Sequence, residues 1–360
     1  MTSPLMNLRQ LEGVRMHEPL TLDELRLALQ YIPADARETW VNVGNACKTE
    51  YGDDGFVAWD EWSQQAASYK AADAKSVWRS LTPGKVSIGT IIKLAQAGGW
   101  QRARREMSAE DRRRLKAEAE ERRRRVAAQV EADQAKLERM QQAVAGACQR
   151  VMEQHLASHG PSPYLECKGV GAHGVLFPRR AVLISIDSQR ERADIWVGHE
   201  VREWFRQLPK PRPDHLHMFQ LRPGDVVVPL RGQDGTLWAL QTINQQGTKL
   251  YPKFGRKAGC CHLIGSEQAS PEVIAVAEGY ATAASVHEMT GWPVAVALDV
   301  GNMARVAPPL MTMYPRSRLL LCGDDDPDTE DNPGRTKTQA LADELRCAVA
   351  FPSMPGREAA

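Results

Sequence analysis

V-I-A-V-A-E-G-Y-A-T-A, Val273 to Ala283, and L-L-L-C-G-D-D-D-P, Leu319 to Pro327, decide the fold of this chain. In each, a short apolar run ends abruptly in carboxylates. An apolar run of about four to six residues predicts a strand buried on both faces, as in a parallel sheet. Acidic residues at the carboxyl end of such a strand stand at the sheet edge where α/β proteins place their sites. One strand delivers Glu278. The other delivers Asp324 and Asp326, two residues apart and so on the same side of an extended chain. Carboxylates converging from two strands repel one another unless a cation sits among them. Hard oxygen ligands of this kind suit magnesium or manganese, ions that then act on phosphate. The ordinary alternatives are a helix-capping acid at Glu278 and a solvated acidic loop beginning at Asp324. The two runs together, in this order, favour a site.

E-G-Y-A-T-A-A-S-V resembles the glutamate motif of the Toprim fold, and G-D-D-D-P is similar to its D-x-D motif. Toprim is the metal-binding core shared by topoisomerases and bacterial-type primases. The resemblance implies an α/β domain with a mainly parallel sheet over residues 271–360. It also implies a two-metal magnesium or manganese site held by Glu278, Asp324 and Asp326, with Asp328 as a further candidate ligand. Related primases continue past this point to another acidic motif. None follows Pro355 here, so the chain reads either as a piece of a longer polypeptide or as a site lacking one ligand.

Ahead of the acidic motifs the pattern is strand-like. V-L-I-S-I, D-V-V-V-P-L and T-L-W-A-L-Q-T-I are rich in β-branched residues, and Q-D-G at Gln233–Gly235 and N-Q-Q-G at Asn244–Gly247 predict hairpin turns. Y-L-E-C-K-G-V, V-P-L-R-G-Q-D-G-T-L-W-A-L-Q-T-I and E-G-Y-A-T-A-A-S-V-H-E resemble the RNA-polymerase domain of conjugative-plasmid and satellite-phage primases. On that resemblance residues 161–270 form the mixed, β-rich amino-terminal subdomain of a primase core. Lys249, Lys253, Arg256 and Lys257 lie in a glycine-bearing loop where backbone can approach phosphate closely. They are the candidates for holding a nucleotide or template, with Lys168 and Arg231 as weaker ones. Asn302, in the loop after the next strand, either orients a phosphate or caps a helix.

The first hundred residues read as a helical bundle over 21–100, after a loose leader at 1–20. Leu22, Leu25, Leu29 and Ile32 follow helical steps with Thr21 or Asp23 as a cap. Y-I-P-A-D-A-R-E-T-W-V-N-V-G, G-D-D-G-F-V-A-W-D-E-W-S, V-W-R-S-L and I-G-T-I-I-K-L-A resemble the helical module usually found carboxyl-terminal to phage and plasmid primase-polymerase domains. Its tryptophans, Trp40, Trp59, Trp62 and Trp78, recur with other apolar residues at helical spacing, which favours core packing over base stacking. Residues 101–160 form a different polymer, rich in Arg, Glu, Ala and Gln, whose interleaved charges predict a single long linker helix. Arg122 to Arg125 are either phosphate contacts or part of a solvated spacer.

Over the whole chain of 360 residues the net charge is +1, so only local clusters bear on nucleic acid. No apolar run is long enough to span a bilayer, and the first residues lack the pattern of a secretory signal. The seven cysteines form no C-x-x-C pair, which points to reduced thiols in the cytoplasm. Cys260, Cys261 and His262 lack the second ligand pair that a structural zinc needs, so no zinc is expected. The family resemblance implies a DNA-dependent RNA primase, a nucleotidyltransferase of phage or plasmid replication. Its partners would be single-stranded DNA, ribonucleoside triphosphates and a replicative helicase, separate or fused. The competing readings are a non-catalytic adaptor binding DNA and a helicase, and a Toprim nuclease. No candidate tyrosine in a second domain supports a topoisomerase.

Overall fold

The structure is a computed structural model and describes residues 20–84, 86–102, 108–265, 270–325 and 332–352. The leader expected at 1–20 lies, up to residue 19, outside the described residues, as do Asp326 and Asp328. The chain divides into two compact units, Met1–Ala135 and Lys136–Ala360.

The first unit is helical: α1 (Leu22–Leu29), α2 (Arg37–Tyr51), a 3-10 turn (Gly52–Gly55), α3 (Phe56–Ser63), α4 (Ala71–Ser80) and α5 (Ile88–Ala97), followed by the first part of α6 (Ala109–His155). Thr21 starts α1 with a capping box. Its hydroxyl accepts from the Glu24 N–H at 3.2 Å, and Glu24 accepts from the Thr21 N–H at 2.9 Å, so two otherwise orphaned donors are satisfied. Leu25, Leu29, Val43, Trp59, Trp62 and Ile91 form the centre of the core. The Trp59 ring lies 4.7 Å from Trp40 and 5.3 Å from Trp78.

α6 is a 47-residue helix, roughly 70 Å long at 1.5 Å per residue. The expected linker helix is present, and both of its halves take part in packing. In its first half Ala119 is buried, and Arg123 makes a paired contact with the buried Glu50. In its last turns Met140, Val144, Ala147, Cys148 and Val151 are fully buried in the core of the second unit. These positions lie three and four residues apart, so they share one face.

The second unit begins with β1 (Leu156–Ala157), α7 (Pro163–Lys168) and β2 (Phe177–Pro178), with β1 and β2 paired antiparallel. β3 (Val182–Asp187), β4 (Arg192–Val197) and, after α8 (His199–Gln207), β5 (Leu216–Leu221) form an antiparallel sheet in the order β4-β3-β5. β6 (Val226–Arg231), β7 (Leu237–Ile243) and β8 (Lys249–Leu250) form a meander whose two turns fall at Gln233–Gly235 and Asn244–Gly247.

The rest is the α/β domain: β9 (His262–Ile264), β10 (Val273–Ala277), α9 (Tyr280–Thr290), β11 (Val294–Val296), α10 (Val300–Met313), β12 (Arg318–Cys322), α11 (Pro333–Leu345) and β13 (Ala348–Ala350). The sheet order is β13-β12-β10-β11-β9, parallel throughout except for β9. Successive residues of β10 face opposite sides. Ala275 and Ala277 pack with α9 and the β-rich region, while Ile274 and Val276 pack with α10 and α11. Burial on both faces is why the run V-I-A-V-A carries no polar residue.

Candidate active site

β10 and β12 are neighbours with Ala277 opposite Cys322, and β10 and β11 are neighbours with Ala277 opposite Val296. The chain therefore leaves three adjacent parallel strands at one edge, and there it places Glu278, Asp324 and Asp299. Glu278 and Asp324 are both half-buried. The Thr282 hydroxyl, on the first turn of α9, donates a long hydrogen bond of 3.5 Å to Asp324 Oδ1. A methyl group on Gly334, in the first turn of α11, would lie 2.9 Å from the Asp324 carbonyl and 3.8 Å from Glu278 Oε1. The start of α11 thus closes on both acids, and glycine permits that approach.

Asp325 points the other way from Asp324, as alternation in an extended chain requires. It accepts from Asn332 at 2.5 Å and from Arg335 at 3.2 Å, which fixes the start of α11. Asp299 caps α10 by accepting from the Asn302 N–H at 2.8 Å and is ion-paired with Lys257. Burial pushes the Asp299 carboxyl up, but the Lys257 ammonium and the Asn302 and Gly301 N–H groups outweigh it, so the group sits below its ordinary value. Asp325 and Asp299 are engaged by the chain's own donors. Asp326, expected beside Asp324, falls outside the described residues.

The cationic residues read from the sequence separate in space. Lys249 reaches the acidic edge: its Nζ would lie 3.2 Å from a methyl group on Gly279, next to Glu278. Lys257 reaches the same edge but is held by Asp299 and lies over the Tyr251 ring. Arg256 stacks on Trp238 at 4.5 Å. Lys253 lies over Phe254, and its charge helps burial to lower the His217 pKa. Lys168 is exposed at the end of α7. Arg231 donates to the Gly235 carbonyl at 2.8 Å.

Asn302 is 3% exposed and its amide is fully engaged. It donates to the Cys260 and Ala297 carbonyls and accepts from the Gly259 N–H. The structure fits neither reading of Asn302: Asp299 is the cap of α10, and Asn302 clamps the glycine loop to the sheet, with no amide group left for phosphate. His262 Nε2 donates to the His173 carbonyl at 2.7 Å. Burial lowers the pKa of His262 below its ordinary value.

Two residues at the site were not singled out from sequence. Thr282 stands one helical turn after Glu278, a spacing that was legible. Tyr164 is buried on α7, and its hydroxyl is pushed above its ordinary pKa first by burial and then by the Asp324 charge. No local pattern marks Tyr164.

Residues 25–95 match the family model Primase C terminal 2 (PriCT-2), and residues 273–350 match the Toprim domain. The chain thus carries a region similar to PriCT-2 ahead of a region similar to the Toprim domain. A DNA primase TraC of Escherichia coli is 37% identical over 139 residues, covering 37% of this chain and 13% of that protein. A second DNA primase TraC of Escherichia coli is 28% identical over 259 residues, covering 70% of this chain and 15% of that protein. The matched parts thus span only 13% and 15% of the length of these relatives. Among solved structures, a DnaG primase catalytic domain bound to ssDNA aligns with a TM-score of 0.36 at 16% identity, over 62% of this chain and 75% of that one. The primase fragment of the bacteriophage T7 primase-helicase protein aligns with a TM-score of 0.29 at 17% identity, over 36% and 53%. No helix among the described residues is long and apolar enough to cross a membrane.

Proposed function

We propose that this chain synthesises short RNA primers on single-stranded DNA. The observation that carries the reading is the meeting of Glu278 and Asp324 at adjacent ends of β10 and β12, with Lys249 beside them, in a Toprim domain. Joining a nucleotide to a hydroxyl with loss of pyrophosphate concentrates negative charge on the reacting phosphorus and the leaving oxygens. The donor set fits a hard divalent ion, because carboxylate oxygens from two strands meet with no thiol or imidazole among them. Magnesium or manganese, when bound, would neutralise the developing charge. Glu278 and Asp324 would hold the ion, with Asp326 as the third ligand. Thr282 orients Asp324 through its hydroxyl, and Gly334 lets the start of α11 approach both acids. Lys249 would hold triphosphate oxygens from the opposite side. The helical module, whose tryptophans are internal, would meet a replication protein such as a helicase rather than stack bases.

The test is primer synthesis on single-stranded DNA with labelled ribonucleotides and magnesium or manganese, comparing wild type with the double variant Asp324→Ala, Asp326→Ala. Short RNA products that vanish in the variant are expected. Template bound without product would favour the adaptor reading, and degraded template would favour the nuclease.

A further inference from the structure

A second polar site lies on the other side of β8 from the acidic edge. A cavity of about 440 Å³ opens between α8, β5, the turn before β6 and the Asn244–Gly247 turn. That volume is at the small end of ligand pockets and suits a single base or nucleoside. Phe205 and Tyr251 contribute aromatic walls. Phe205 is 38% exposed, on a helix whose one buried residue is Val201. The polar lining includes Gln220, Arg222, Asp225, Asn244 and Gln245. Asp225 is 5% exposed, and its Oδ2 accepts from the Arg222 N–H at 2.8 Å. Burial pushes the Asp225 carboxyl up, opposed by the Arg222 N–H, the Arg222 charge and the Thr242 hydroxyl. The Arg222 guanidinium is steadied by Gln220 Oε1 at 2.9 Å. Asn244 uses its carbonyl oxygen on the Gln246 and Thr248 N–H groups, bonds that leave its amide donors for other partners.

An aromatic face with mixed donors and acceptors is what recognises an unstacked base by its edge. A neighbouring hollow shares Phe205, Gln220 and Arg222 and adds Arg202 and His199. Arg202 and Arg222 supply phosphate contacts on the approach. Among the described residues Arg222 is the one cation that lines the cavity itself, which is poor provision for a free triphosphate and adequate for one diester. Adjacency along the chain ties this cavity to the acidic edge, since Lys249, Leu250 and Tyr251 are consecutive. Lys249 of β8 approaches Gly279, Leu250 lines the cavity, and Tyr251 lines it too while burial and the Asp299 charge push its hydroxyl up to about 12.

We propose that this cavity receives one unstacked base of a single DNA strand whose phosphates lie on Arg202 and Arg222, so that it reads base identity close to the site of synthesis. The inference rests on the nucleic-acid part of the proposed function and not on catalysis. It is tested by fluorescence anisotropy of the full chain with labelled oligo-dT, in which one position at a time is changed to A, C or G, or made abasic. One position is expected at which base identity or base loss changes affinity by about fivefold or more. That preference disappears in Phe205→Ala and Gln245→Ala, both at exposed positions where melting should hold, and its rank order changes in Asp225→Asn. Affinity indifferent to the base at every position, or a preference unchanged in all three variants, overturns the proposal. A wild type that shows the preference but makes no primers would leave this inference standing and remove the primase reading. Primers without the preference would do the reverse.

Discussion

The helical module and the edge of the five-stranded sheet arrange their polar groups in opposite ways. In the module four tryptophan N–H groups end on acceptors of the module itself. Trp40 donates to Ser63, Trp59 to the Trp40 carbonyl, Trp62 to the Ile32 carbonyl and Trp78 to Asp53. That is the pattern of a finished core, in which aromatic bulk and satisfied donors together give stability. At the sheet edge the fold brings Glu278 and Asp324 together although like charges oppose it. It also engages Asp299 with Lys257, and Asp325 with Arg335 and Asn332. The difference separates a scaffold from a site. The module's residues should matter to stability, and those at the edge to chemistry.

Substitution at the edge should break activity most. Asp324→Asn or Glu278→Gln is expected to lower primer synthesis about a thousandfold, the loss of several kcal/mol of charge stabilisation. Melting should stay within about 0.5 kcal/mol, since neither residue is in a core cluster. Equal losses of fold and activity would erase the contrast drawn above.

Trp59→Ala sharpens the same comparison from the other side. Trp59 is fully buried among Trp40, Phe56 and Trp78, so denaturant unfolding of the first unit should weaken by about 3–5 kcal/mol. Base-stacking tryptophans would instead show a loss of DNA affinity with little change in melting.

Lys249→Ala should raise the KM for ribonucleotides about tenfold while kcat changes less, because Lys249 is assigned to the triphosphate and not to the reacting hydroxyl. Fluorescence-monitored nucleotide binding checks the same point without turnover.

The smallest effect concerns His262. Its folded-state pKa is depressed below the ordinary 6.5 by burial. Between the two values the unfolded chain binds the extra proton, so stability falls as pH drops below 6.5. The loss is up to about 1.4 kcal/mol for each unit until the folded pKa is reached. His262→Gln should flatten that limb in urea titrations at pH 5–7, whatever its effect at pH 8.

Strands β10 and β12 were legible because burial leaves an almost unbroken apolar signature, and the acids that follow them need no further information. The D-D-D run was legible only in part. Alternation separates Asp324 from Asp325, but that Asp325 belongs to α11 depends on Asn332 and Arg335, seven and ten residues on. Asn302 was ambiguous because its partners, the Cys260 and Ala297 carbonyls and the Gly259 N–H, lie on other segments. The basic loop looked uniform as a string. Tertiary neighbours send Lys249 to Gly279, Lys257 to Asp299 and Arg256 to Trp238. The last turns of α6 were hidden because five apolar residues sit in a stretch dominated by Arg, Glu and Gln.

The most direct test of the central claim is manganese binding to the full chain, followed by electron paramagnetic resonance, in wild type, Glu278→Gln and Asp324→Asn. If these strand-end carboxylates form the ion site of nucleotidyl transfer, wild type removes free manganese signal at a defined stoichiometry and each variant abolishes or strongly weakens it. Equal manganese binding by all three proteins would contradict the account, because the acids would then be brought together without serving the ion they are assigned to hold.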